Sequence, residues 1–173
     1  LKIDQVLQRA PAEAVRHFLL SAHYRSPLDL TEDALQNSAS AVRRINEAIE
    51  TTIKLIGAPP SPPPASERVD ALRTQFEAAM DDDFNTPVAL SVLFQAISAI
   101  HDLRRNAGDA ATQSELAALL AFAIELRDFF SLEPAATSGA ADELTPRLIE
   151  LLIEARQLAR KNRDFAVADR VRD

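Results

Sequence analysis

Asn85-Thr86-Pro87-Val88-Ala89-Leu90-Ser91-Val92-Leu93-Phe94-Gln95-Ala96-Ile97-Ser98-Ala99-Ile100 decides the fold class of this chain. Asparagine ahead of Thr-Pro supplies a capping side chain and a first-turn proline, which together start a helix. Leu90, Leu93, Ile97 and Ile100 then return at helical spacing, so the stretch reads as a long helix that ends before Gly108. Working upstream, Ser66 caps a helix with Val69, Leu72, Phe76 and Ala79 on one face, closing at Asp81-Asp82-Asp83. Residues 58–66 hold five of the ten prolines, which excludes a helix interior and predicts a stiff, extended linker between two helical units.

Before the linker, residues 1–57 read as a short helix and two longer ones. Pro11 suits a first turn, with Val15, Phe18, Leu19 and Ala22 at helical spacing, and Pro27 blocks continuation. Thr31 followed by Glu32 and Asp33 opens the next helix, with Leu35, Val42, Ile45, Ile49 and Ile56 on one face and Gly57 as its stop. Downstream, a helix from about Thr112 carries Leu116, Leu119, Ala123, Leu126 and Phe130. Residues 134–141 form a joint, Thr145-Pro146 starts another helix, and Asp164 caps a closing one. The expected fold is all-α. Only three glycines occur, too few for the tight turns of a β-rich fold.

Cysteine is absent, which rules out disulfides and thiolate metal sites within the chain and fits an intracellular setting. No apolar run reaches the ~20 residues of a membrane span, so a cytoplasmic protein with no membrane partner is expected. The chain begins at Leu1 and stops on a charged helical pattern at Asp173, and both ends read as cuts. Net charge is −7, distributed as zero over residues 1–57, −9 over 58–145 and +2 over 146–173. An acidic middle argues against strong nucleic-acid binding, while a basic end leaves room for a modest, salt-sensitive contact.

The search for chemistry is mostly negative. His17, His23 and His101 lack the several convergent donors a metal site needs. Asp81, Asp82 and Asp83 offer carboxylates for Mg²⁺, but their place just before Asn85-Thr86-Pro87 is that of anions beside a helix N-terminus. No phosphate-binding glycine loop and no nucleophile elbow is present. The expectation is therefore no catalytic residue, no metal and no cofactor in this chain. Basic residues are the candidates: Arg156, Arg160, Lys161 and Arg163 crowd one helix end, and Arg43 with Arg44 lies on an exposed helix face. Either phosphate contact or the attraction of a helix C-terminus for cations accounts for the first group.

Three stretches resemble the cysteinyl-tRNA synthetases: residues 13–28 (Glu-Ala-Val-Arg-His-Phe through Tyr24-Arg25-Ser26-Pro27-Leu28), Met80-Asp81-Asp82-Asp83-Phe84-Asn85-Thr86-Pro87-Val88-Ala89-Leu90, and residues 154–173. Glu13-Ala14-Val15-Arg16 stands where related class I synthetases often read Asp-Ala-Leu-Arg. The literal Asp70-Ala71-Leu72-Arg73 lies in the wrong context. What the resemblance implies is a parent enzyme that activates cysteine with ATP and esterifies its tRNA, using a Rossmann domain, HIGH and KMSKS motifs and a zinc ion. On that reading ATP and zinc belong to an N-terminal catalytic domain outside this chain, which would begin just after the KMSKS loop. The chain would comprise stem-contact helices (1–57), the linker (58–66) and an antiparallel, DALR-type bundle (67–173) resembling anticodon-binding domains.

The resemblance further implies a cysteine-specific tRNA as partner, a monomer, and tRNA contacts at Arg25, Arg43, Arg44, Arg156, Arg160, Lys161 and Arg163. Tyr24 and Arg25 would lie at a joint near the catalytic domain, either relaying position or simply packing. Two rivals remain: a plain helical scaffold for protein interaction, and the related ligase that joins cysteine to an aminosugar. Phe84-Asn85-Thr86-Pro87 and the length of the bundle speak against the latter.

Overall fold

Local start signals explain where the helices begin. In the computed structural model, which describes residues 3–105 and 109–134, the elements are α1 (Ile3–Leu7), α2 (Ala12–Leu20), α3 (Glu32–Ile56), α4 (Glu67–Asp81), α5 (Thr86–Arg104) and α6 (Ala110–Phe129). The side chains of Thr31, Ser66, Asn85 and Asp109 accept hydrogen bonds from the backbone N–H three residues on, capping α3, α4, α5 and α6. Gly57 ends α3 at φ 84°, a left-handed conformation that glycine adopts without a Cβ penalty. Among the described residues all regular structure is helical. The expected helices from Thr145 and Asp164 lie outside the described residues.

Two details depart from the sequence expectation. Ala22 falls beyond the end of α2, and Leu19 turns outward at 54% exposed, so the buried face of α2 is Ala14, Val15, His17 and Phe18. Helix α6 begins at Ala110, ahead of the expected Thr112, because Asp109 accepts from both the backbone N–H and the hydroxyl of Thr112.

The prolines of 58–66 do make the α3–α4 connection a loop, yet the hydrophobic core runs on across it. Val42, Ile45, Ala48 and Ile49 of α3 share one cluster with Leu72 of α4, Leu93 and Ile100 of α5, and Leu116, Leu119 and Phe122 of α6. The expected gap between two helical units is thus not a gap in packing. Helix α3 has 25 residues, long enough to serve both this core and a smaller one. In the smaller core Leu35 meets Val6, Ala14, Val15 and Phe18 of the α1–α2 region. Each large apolar side chain so buried stabilises the fold by about 1.5–3 kcal/mol.

Among the described helices, α5 alone is long and apolar enough to cross a membrane. Its packing accounts for that composition: Ala89, Leu90, Val92, Leu93, Ala96, Ile97 and Ile100 are buried against α3, α4 and α6.

Candidate functional site

Two segments far apart in sequence meet at one place on the surface. The first is the turn after α2, where Pro27 prevents further helix and Ser26 N–H closes on the His23 carbonyl at 2.8 Å. The second is the α4–α5 turn. There Asn85 N–H reaches back to the Ala79 carbonyl at 2.9 Å and Phe84 N–H to Met80 at 3.1 Å, capping the end of α4. This tight reversal places both Asp83 (φ 54°) and Phe84 (φ 55°) in the left-handed region, at a cost of about 1–2 kcal/mol per residue without glycine.

That strained backbone aims Asp83 at the first turn. Tyr24 donates its hydroxyl proton to Asp83 Oδ1 at 2.8 Å, and Arg25 Nη2 lies 3.2 Å from Asp83 Oδ2. Arg25 Nε donates to the Tyr24 hydroxyl at 3.0 Å, and His23 stacks on the Tyr24 ring with centroids 4.8 Å apart. The hydrogen bond to Asp83 raises the Tyr24 phenol above its ordinary pKa. The sequence reading set Asp81–Asp83 beside the start of α5, with Asn85 as its cap. The structure adds that Asp81 is the last residue of α4 and that Asp83 holds Tyr24 and Arg25. Beside this clasp Phe84 and Val88 are exposed apolar groups.

A second set of ties fixes the chain after α6. Arg16 donates from Nη1 to the Ser131 carbonyl, and Asn46 Nδ2 donates to the Leu132 carbonyl at 3.0 Å. These bonds join α2 and α3 to the exit of α6, where Leu132 is fully buried. Arg16 was visible as the last residue of the Glu13–Arg16 motif. Nothing local to Asn46 or Asp83 announced a partner so far along the chain.

The predicted tRNA-contacting residues divide. Arg25 faces Asp83, which offsets its charge. Arg43 pairs with Glu47 at 3.8 Å and lines a concavity with Glu13, Glu47 and Glu50, a negative setting for a phosphate. Arg44 is exposed, and its charge acts on the buried His17. Arg156, Arg160, Lys161 and Arg163 lie outside the described residues. The literal Asp70–Arg73 stretch has a structural role: Arg73 makes a two-pronged ion pair with Glu125 at 2.7 and 2.6 Å, tying α4 to α6. That pairing holds Glu125 below its ordinary pKa. Among the described residues no group of three or more histidines and carboxylates is placed to hold a metal.

Comparison with known proteins follows the same lines. The family model described as DALR domain matches residues 75–132, which span the second half of α4, α5 and α6. The cysteine-tRNA ligase of Thioalkalivibrio sulfidiphilus is 39% identical over 173 residues, covering 99% of this chain and 35% of that relative. That of Alkalilimnicola ehrlichii is 41% identical over 174 residues, covering 99% and 36%. That of Halorhodospira halophila is 41% identical over 172 residues, covering 99% and 35%. The chain thus spans about a third of the length of the curated relatives it matches.

Proposed function

Because this chain belongs with the cysteine-tRNA ligases along 99% of its own length, we propose that it is the helical, tRNA-holding part of such a ligase. The observation that carries the reading is the clasp: two of the stretches bearing the family resemblance, His23–Arg25 and Met80–Leu90, interlock through Asp83. A helical frame locked in this way holds a bound tRNA stem in one orientation. It contributes positioning, not bond making. Contacts of this kind go to the nucleic-acid backbone and carry no sequence information directly.

The chemistry of the ligase, activation of cysteine with ATP and its transfer to tRNA, would belong to the remaining two thirds of the polypeptide. A zinc site does not fit the residues present here, since the chain has no thiolate and, among the described residues, no group of three or more histidines and carboxylates is placed to hold a metal. An apolar groove of about 330 Å³ between Ile3, Leu19, Leu28 and Leu30 is where that remainder would pack. Its exposed leucines adjoin the turn that carries the clasp. On this reading the protein acts as a cytoplasmic monomer, and its partner is a tRNA specific for cysteine.

The test is titration of the 173-residue chain with a cysteine-accepting tRNA transcript and with an unrelated tRNA, each at low and moderate salt. Salt-sensitive binding is expected, weak because of the acidic middle, and stronger for the cysteine-accepting tRNA. Equal binding of both would reduce the chain to a brace for the backbone. Absence of binding at low salt would remove autonomous tRNA holding altogether.

A further inference from the structure

We propose that the concavity between the start of α2 and the middle of α3 binds an alkyl ammonium or guanidinium group, a cationic head on an aliphatic stem. Its volume is about 340 Å³, and Glu13, Asn46, Glu47 and Glu50 line it together with apolar Val42 and Pro134. Arg43 is the one cation on its wall and is already paired with Glu47 at 3.8 Å. Glu13 and Glu50 have no hydrogen bond or ion pair among the described residues, so the lining residues carry a formal charge of about −2, and Glu13 also faces the positive end of α2.

The buried asparagine supplies the second, independent sign. Asn46 is only 5% exposed, and its Nδ2 donates to the carbonyls of Val42 and Leu132, both at 3.0 Å. Those two bonds fix which end of the amide is which, and Oδ1 is left buried without a donor. A buried acceptor in that state costs about 1–3 kcal/mol, which an incoming N–H relieves. Anionic ligands are repelled by the glutamates and offer Oδ1 no proton. An ammonium or guanidinium provides both the charge and the donors, while its stem covers the apolar wall. A free polyamine and a lysine or arginine side chain of a partner protein share this chemistry. The site stands apart from the tRNA reading and would survive its failure.

The experiment uses the full 173-residue chain, titrated separately with butane-1,4-diamine, N-acetyl-arginine amide and neutral n-butanol. Binding is followed by the side-chain amide resonances of Asn46 and by calorimetry. Saturable shifts are expected with one or both cations and not with butanol, and they should weaken as salt rises. The double variant Glu13→Gln/Glu50→Gln should keep its melting curve and lose about three- to tenfold in affinity. Preference for the diamine would assign a free polyamine as occupant, and preference for the arginine amide a protein side chain. The proposal is overturned by an unmoved Asn46 resonance, by an equal response to butanol, or by unchanged affinity in the double variant.

Discussion

His17 sits on the inner face of α2 at 8% exposed, edge-on to the Phe94 ring with centroids 6.0 Å apart, and neither ring nitrogen has a hydrogen-bond partner. Burial, and after it the charge of Arg44, holds its pKa below the ordinary 6.5. The folded protein therefore keeps this imidazole neutral where the unfolded chain has begun to take up a proton. Stability should be full above pH ~6.5, fall as pH drops through that value, and level off once the pH passes below the depressed folded pKa. Melting temperatures between pH 7.5 and 5.5 should decline in the parent chain and decline less in His17→Phe, which keeps an apolar ring in place. An identical decline in both would assign the acid sensitivity to other groups. From sequence alone His17 reads as a surface or half-buried polar residue, and its place on the inner face of α2 is visible only in the fold. That no donor or acceptor meets it depends on Phe94 and Arg44, which only the fold brings near.

Element boundaries were legible wherever the deciding interaction is local. Thr31, Ser66 and Asn85 cap the helices they were expected to cap, because each bond spans three residues and needs nothing from elsewhere. Asp83 fails this condition: its partners Tyr24 and Arg25 lie on another element, and from sequence its neighbours pointed only to α5. The clasp should consequently act on the coupling between turns more than on total stability. Asp83→Ala removes an exposed pair worth about 1 kcal/mol or less, partly offset if relaxing the left-handed turn relieves strain. Hydrogen exchange of the amides in residues 22–30 should accelerate in this variant, with the core amides of α5 little changed. Unchanged exchange in 22–30 would show that the hydrophobic contacts of α2 hold that turn unaided.

At the scale of the molecule, composition and period pointed correctly to an all-helical fold, whereas the extent of its core was hidden by the prolines. A run such as 59–64 forbids helix, but it does not forbid the flanking helices from packing side by side, and α3 turns the same apolar face to α5 and α6. Ile49, fully buried on that face, distinguishes one continuous core from two. Its truncation to alanine should cost about 2–5 kcal/mol, the range for a buried isoleucine whose cavity cannot fully collapse. If the core is continuous, that loss appears as lowered protection of slowly exchanging amides in α5 and α6 as much as in α3, and α3 and the α4–α6 helices still unfold together. If residues 58–66 instead separated two independent units, Ile49→Ala would destabilise α3 while α4 to α6 kept their parent protection. The buried contacts between Ile49 and its cluster favour the first outcome, and amide exchange resolved by helix decides between them.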